Sequence, residues 1–207
     1  MYTPPAFRLS DLPEIHAAIA AARLATLVTA TAEGLMATPL PLYLVAEEGP
    51  HGTLYGHVAR ANPHWSTPPQ GAAMALFQGP HAYVSPSWYA EKPVHGRVVP
   101  TWNYQAIHAH GAVEFFEDAG RLLEVVTRLT AIHESGRAAP WAVSDAPADY
   151  VAGMLRGIVG VRLPIARIEA KRKMSQNRPA ADRAAVAAGL AASARDSDRE
   201  AAALMPG

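Results

Sequence analysis

The chain has 207 residues, half of them hydrophobic, which is enough for one domain with a sizeable core. Lys plus Arg equals Asp plus Glu at 18 each, so the formal charge is zero and the basic balance common in nucleic-acid binders is missing. The absence of cysteine excludes disulfides and thiol chemistry. Apolar runs are far shorter than the ~20 residues of a membrane span, and we see no secretory signal pattern, so we expect a cytoplasmic protein.

The N-terminal part of the chain predicts one helix followed by short strands. Asp11 is a typical helix cap, with Glu14 three residues later, and the helix is expected to reach about Arg23. Pro39 and Pro41 lie inside the second predicted strand, so they should face an edge, a bulge or a ligand. The strands are predicted at residues 24–30, 35–45, 53–58, 72–79 and 81–85.

One long strand is predicted from Arg97 to Phe116. Because side chains alternate along a strand, one face should carry rings, from Trp102, Tyr104, His108 and His110. The other face should carry mainly polar groups, from Thr101, Asn103, Gln105 and Ile107. Stacking surfaces together with hydrogen-bonding groups suit a planar polar ligand, and Gly111 indicates a bulge, a bend or a close approach.

The C-terminal half alternates between helical and extended patterns. It predicts helices at residues 117–134 and 149–156, a strand at 158–171, and an Ala-rich helical segment at 179–205 that is broken near Gly189 and Ser193. Hairpin-like spacing without strict strand–helix alternation favours an α+β, mainly β fold, an antiparallel barrel with flanking helices. We expect one barrel domain at residues 1–178 and a C-terminal helical extension at 179–207, packed on the barrel or on a dimer partner.

Arg60 lies between a predicted strand and a predicted helix start at Asn62-Pro63. Free backbone N–H groups and the helix dipole at such a place favour a phosphate. The alternative is a surface arginine beside an ordinary helix cap, and the local pattern does not decide between them.

A second basic cluster follows the last predicted strand. Lys171 and Lys173 share a strand face, with Ser175 and Gln176 close behind, so cations lie beside hydroxyl and amide groups. Such a set can hold a phosphate and the polar chain attached to it. The alternative is a solvated run of charge between two elements.

The sequence also contains residues found in metal sites and in hydrolase active sites. His108 and His110 have a spacing that can bind a metal on a strand, although the remaining ligands would have to come from elsewhere. A Ser–His–Asp hydrolase lacks its usual Gly-x-Ser-x-Gly turn in this chain. Gly-rich phosphate loops and dinucleotide-binding fingerprints are also missing.

Six stretches of the chain together form a distinctive pattern. They are His57-Val-Ala-Arg-Ala-Asn-Pro63, Phe77 to Tyr89, Val99 to Gly111, Gly157-Ile-Val-Gly160, Lys173-Met-Ser-Gln-Asn-Arg178 and the opening Met1-Tyr-Thr-Pro. This pattern resembles the PaiB family, described as FMN-binding negative transcriptional regulators. The resemblance covers nearly the whole chain and implies a split β-barrel, with FMN at the interface of a homodimer. One departure is visible, because Ala170-Lys-Arg-Lys173 stands where the family usually has Gly-Lys-Trp-Lys.

The resemblance also implies a set of cofactor-binding residues. We expect Arg60 and Lys173 to hold the FMN phosphate, with Lys171 and Gln176 close by. The ring end of the flavin is expected beside polar and aromatic groups of the long strand. The complete set is His57, Arg60, Asn62, Thr101, Trp102, Asn103, Lys171, Lys173 and Gln176.

Three functions are compatible with these observations. The first is an FMN-binding regulator, the second a flavin-dependent oxidoreductase of the pyridoxamine-phosphate-oxidase-like type, and the third a metal-binding barrel. Because the Ala-rich tail carries charges of both signs, DNA binding is expected to be weak or indirect. A homodimer is expected because the chain has several rings that would be costly to leave wet, from Trp88, Tyr89, Trp102 and Tyr104.

Overall fold

The computed structural model describes residues 1–206, and Gly207, the end of the predicted C-terminal extension, lies outside them. The strands are β1 (Leu24–Thr31), β2 (Gly34–Val45), β3 (Thr53–Ala59), β4 (Ala73–Val84), β5 (Thr101–Gly111), β6 (Glu114–Phe116), β7 (Ile158–Pro164) and β8 (Arg167–Lys173). They form one eight-stranded sheet in the order β6-β7-β3-β2-β1-β4-β5-β8. The predicted α+β, mainly β class is therefore confirmed.

Among the described residues, six α-helices accompany the sheet: α1 (Leu12–Ala22), α2 (Lys92–His95), α3 (Ala119–Glu134), α4 (Ala148–Leu155), α5 (Ala180–Ala191) and α6 (Asp196–Ala203). The predicted cap of α1 is present, since the Glu14 N–H donates to Asp11 Oδ2 at 3.0 Å. Within residues 1–206, every helix is too short or too polar to cross a membrane.

Four predicted boundaries were wrong, and tertiary contacts explain three of them. The strands expected at 72–79 and 81–85 are the single strand β4, in which Gly79 lies against the Gln105 side chain. The long strand ends at Gly111, where the Pro164 carbonyl oxygen approaches so closely that a Cβ would lie 2.0 Å from it. The strand expected at 158–171 is divided into β7 and β8, and Gly189 lies inside α5, against the Trp88 ring.

The prolines of β2 lie where the sequence predicted. β2 pairs with β1 from Gly34 to Pro41, but with β3 only from Leu42 to Val45. Pro39 and Pro41 therefore lie outside the β2–β3 ladder, and their missing N–H groups cost no hydrogen bond there.

The chain forms two compact units. The first comprises Met1–Ile15, Gln78–Ile107 and the chain from Glu169, and the second comprises His16–Phe77 and His108–Ile168. In the first, helices α5 and α6 pack on a core that contains Tyr89, Met174, Val186, Leu190 and Ala201. In the second, α3 and α4 pack around Phe116, Leu122, Val125, Leu129 and Leu155. The predicted domain boundary after residue 178 stays a prediction.

Candidate functional site

The start of β5 carries the predicted alternation. Asn103 and Gln105 are buried on one face, whereas Trp102 is 48% exposed on the other. A fully buried amide needs hydrogen-bond partners, and Ser175 supplies one, because its hydroxyl donates to Asn103 Oδ1 at 3.1 Å. Polar groups of β5 are therefore held in place by the segment that follows β8.

Lys173 binds directly to the start of β5. Its ammonium donates to Thr101 Oγ1 and to the Trp102 carbonyl oxygen, both at 2.5 Å. Burial lowers the pKa of Lys173, and the neighbouring charges of Lys171 and Arg178 lower it further. The Lys173 ammonium is therefore partly desolvated and is repelled by the charges of Lys171 and Arg178.

Lys171 is buried, at 6% exposure, on the same strand. Its ammonium donates to the Tyr2 carbonyl oxygen at 3.2 Å and lies 5.0 Å from the centre of the Tyr104 ring. The Arg178 guanidinium lies 4.7 Å from the centre of the Tyr89 ring. Across residues 1–206, the partners of these three cations are carbonyl oxygens, a hydroxyl and aromatic rings rather than carboxylates.

The turn after β8 is shaped by its own polar side chains. Ser175 has a left-handed backbone with φ of 62°, which an L-residue adopts only where the surroundings hold it. Gln176 Oε1 accepts from the Met174 N–H at 2.6 Å, and its Nε2 donates to the Arg172 carbonyl oxygen at 2.5 Å. In this structure Gln176 orders the turn that carries Lys173 and Arg178.

Arg172, which replaces the family's usual aromatic residue, faces away from this cluster of lysines. Its Nε donates to Gln105 Oε1 at 2.7 Å, and its Nη1 forms an ion pair with Glu14. The arginine therefore forms a hydrogen bond with the buried face of β5, and its charge is paired with a carboxylate of its own.

Three of the predicted site residues, His57, Arg60 and Asn62, belong to the second unit. The Arg60 guanidinium donates to the carbonyl oxygens of Arg156 at 2.7 Å and Ile158 at 3.3 Å, and it forms an ion pair with Glu117. Its donors are thus engaged by the chain itself. The α-helix predicted after it is wrong, because Pro63–Trp65 is a three-residue 3-10 helix and carries no appreciable dipole.

Asn62 and His57 have different surroundings. Asn62 caps the short helix as predicted, with its Oδ1 accepting from the His64 N–H at 2.9 Å. His57 lies on β3 opposite Gly160 of β7, and its Nδ1 is buried without a hydrogen-bond partner among the described residues. Burial lowers the pKa of His57, so its ring is held in the neutral form.

The chain is similar to known proteins over most of its length. A family profile described as "Putative FMN-binding domain" matches residues 1–167. Protease synthase and sporulation protein PAI 2 of Bacillus subtilis is 34% identical, over 88% of this chain and 85% of that protein. The chain belongs to the PaiB family. The chain is also similar to an uncharacterized protein of Aspergillus fumigatus, with 34% identity over 67% of this chain and 66% of that protein.

Solved structures agree with the split-barrel fold that the PaiB resemblance implied. The FAD and heme binding protein of Mycobacterium smegmatis matches with a TM-score of 0.60 and 14% identity, over 86% of this chain and 78% of that one. A conserved hypothetical protein of Mycobacterium tuberculosis matches with a TM-score of 0.57 and 14% identity, over 86% and 94%. At this identity the likeness establishes the fold alone.

FMN is the cofactor of the PaiB family, and the first unit offers a donor set that fits it. A phosphate dianion needs cations and hydrogen-bond donors, and Lys171, Lys173 and Arg178 provide charge that no carboxylate neutralises within residues 1–206. A flavin ring needs polar edges and flat surfaces, and Thr101 and Trp102 provide both kinds of group. The chemistry of the residues present is therefore compatible with FMN.

The sequence missed two contributors to this PaiB-family site. Arg178 ends the basic cluster predicted from the sequence but is not in the predicted set of cofactor ligands, although its charge acts on Lys173. Tyr104 was assigned to the ring face of the strand without a partner, and it lies against Lys171. Cation spacing within Lys173-Met-Ser-Gln-Asn-Arg178 was the available signal for Arg178, whereas the Tyr104 contact depends on strand pairing.

Proposed function

We propose that this PaiB-family protein binds FMN with its phosphate on Lys171, Lys173 and Arg178, and that it acts as a negative transcriptional regulator. The observation that carries the site is the buried Lys171 beside the partly buried Lys173, without a carboxylate among their partners. Buried charges are normally paired, so an anionic ligand is the natural complement. Thr101, Trp102 and Asn103 are proposed to line the ring end of the flavin.

Bound FMN supplies redox chemistry at its ring system. The residues of the chain would orient it: Lys173 fixes the start of β5 while its charge faces the phosphate, and Ser175 holds the Asn103 amide in one orientation. The buried, neutral His57 is proposed as an uncharged contact rather than as a phosphate ligand. His57 and Asn62 remain candidates from the family resemblance.

Direct DNA recognition by the C-terminal tail is disfavoured because an arginine of the tail is paired with a carboxylate. Arg199 forms an ion pair with Asp196 and donates to the Ser193 carbonyl oxygen at 2.7 Å. A cation that already has a carboxylate partner neutralises DNA phosphates poorly, so few counterions leave the DNA and the binding that depends on such cations is weak. The regulatory role is therefore proposed to work through weak or indirect DNA contact, in a cytoplasmic homodimer.

The second candidate is a flavin-dependent oxidoreductase. It is the alternative because a fold does not fix function, and the similarly folded FAD and heme binding protein of Mycobacterium smegmatis also binds a flavin. The first experiment is an absorbance spectrum of the purified protein after addition of FMN and gel filtration. Co-eluting flavin absorbance is expected, and its complete loss on the column would contradict tight FMN binding.

Two assays then separate the candidates. Bleaching of the bound flavin by NADH or NADPH within seconds would favour the oxidoreductase. A salt-dependent shift of promoter DNA, without such bleaching, would favour the regulator.

A further inference from the structure

A separate groove lies in the second unit, between α1, β2 and α3. It encloses about 420 Å³, within the range of small-molecule sites. Its floor is apolar, from alanines of α1 and from side chains that include Leu42 and Ile132. Four basic side chains line it, namely His16, Arg23, Arg128 and His133, and none of the described lining residues is acidic.

Arg23 reaches this groove from an unusual backbone position. It follows the last residue of α1 and has a left-handed conformation with φ of 57°. Glycine is the common residue there, because any Cβ is strained in that conformation. An arginine in a position that favours glycine suggests that its side chain is used, and that side chain lines the groove.

Arg128 supplies the second fixed charge. It projects from α3, and its guanidinium lies 5.5 Å from the centre of the Tyr43 ring. Tyr43 also lines the groove, so the cation is held against its wall. Two permanent cations above an apolar floor are complementary to a ligand with one anionic head and a short apolar body.

We propose that this groove binds a small amphipathic carboxylate, an aliphatic or aromatic monoacid. Its carboxylate would lie between Arg23 and Arg128, and its apolar body over Leu42 and Ile132. None of the described residues that line this groove belongs to the set proposed to bind the flavin.

The test is isothermal titration calorimetry of the FMN-saturated full-length protein with octanoate, octanol and octylamine as probes. Octanoate is expected to bind saturably at one site with a dissociation constant below about 1 mM. Octanol and octylamine should bind at least about tenfold more weakly, because charge-assisted hydrogen bonds are lost. Equal affinities for octanoate and octanol, or no saturable binding of octanoate, would overturn the proposal.

Two variants and one control test whether the groove residues bind octanoate. Arg23→Gly should leave the thermal unfolding midpoint unchanged or raised, since the backbone strain is relieved, while octanoate binds about tenfold more weakly or worse. Ala20→Glu, which adds a carboxylate to the groove wall, should abolish octanoate binding. Arg195→Gln, which removes a cation outside the groove, is the matched control and should bind like the native protein. Native-like octanoate affinity in Arg23→Gly would contradict the assigned role.

Discussion

Lys173 and Trp102 are joined by a hydrogen bond in which the Lys173 ammonium donates to the Trp102 carbonyl oxygen at 2.5 Å. The two residues are 71 positions apart, and each belongs to a run that carries the family resemblance. The contact fixes the end of β8 against the start of β5. It therefore explains how two distant sequence runs contribute to one candidate flavin site.

Gly111 should not tolerate a side chain. In Gly111→Ala the new Cβ would meet the Pro164 carbonyl oxygen, and overpacking against the backbone costs about 1–3 kcal/mol or more. The free energy of unfolding from urea denaturation measures the loss. Gly153→Ala is the control: its Cβ would lie 3.7 Å from the nearest atom, so helix α4 should gain about 0.4–1 kcal/mol. Equal stability of the two variants would contradict the close approach.

The stability of the protein should fall in mild acid because of His64. This ring is fully buried, and Thr29 Oγ1 lies 2.8 Å from its Nε2 while Thr38 Oγ1 lies 2.8 Å from its Nδ1. Burial lowers the pKa of His64 below the usual 6.5. Between the folded pKa and about 6.5, the unfolded chain binds a proton that the folded chain does not. The free energy of unfolding therefore decreases as pH falls through this window, by up to about 1.4 kcal/mol per pH unit for each such proton.

Urea denaturation between pH 7.5 and pH 5 checks this slope. His64→Gln should be less stable at every pH but should have a shallower pH slope, with the remainder due partly to His57, whose pKa is also lowered. A native slope in His64→Gln would show that other groups cause the acid sensitivity.

Most of the aromatic rings that suggested a homodimer are accounted for within one chain. Of the four rings that suggested it, Tyr89 is buried in the core, Trp88 packs against that core, and Tyr104 lies against Lys171. Trp102 remains 48% exposed and lies 6.1 Å from the Tyr83 ring, which is 46% exposed. We propose this aromatic patch as part of the interface.

Light scattering at micromolar concentration should give twice the monomer mass for the native protein. Tyr83→Glu should shift the population toward monomers, because a charge in an apolar interface costs binding energy. Tyr150→Glu, which changes a tyrosine that is 58% exposed elsewhere, is the control and should remain dimeric. A native monomer at these concentrations would contradict the dimer.

Arg60, the other phosphate ligand expected from the sequence, forms an ion pair with Glu117 in the structure. If it binds FMN, Glu117 competes with the phosphate for its guanidinium. Arg60→Ala should then weaken FMN but not riboflavin, and Glu117→Gln should bind FMN at least as tightly as the native protein. Flavin fluorescence titration measures both. Equal weakening of FMN and riboflavin in Arg60→Ala would mean that Arg60 only supports the fold, through the carbonyl oxygens of Arg156 and Ile158.

Local sequence signals predicted most elements of this fold. The cap at Asp11 placed helix α1, and alternation placed the two faces of β5 correctly. These features depend on residues a few positions apart. Gly111 indicated a bulge, a bend or a close approach, and a close approach is present, but its partner Pro164 could not be predicted because it is far away in sequence.

The residue types of the candidate site were predictable from the sequence, but the ion pairs that its cations form were not. The common strand face of Lys171 and Lys173 follows from spacing alone. The ion pair of Arg60 with Glu117 joins residues 57 positions apart, and a helix start at Asn62-Pro63 looks the same whether three residues or twelve follow it. Whether a cation is free or paired is therefore a tertiary property.

The most direct test of the account is the affinity of FMN and riboflavin for the native protein and for Lys173→Gln, measured by flavin fluorescence. The native protein should prefer FMN, and Lys173→Gln should weaken FMN about tenfold to a hundredfold, since a charge-assisted hydrogen bond is worth about 1.5–3 kcal/mol. Riboflavin affinity should change by less than about twofold, and Lys92→Gln, at an exposed lysine of α2, should change neither. Unchanged FMN affinity in Lys173→Gln, or equal weakening of both flavins, would contradict a phosphate site at Lys173.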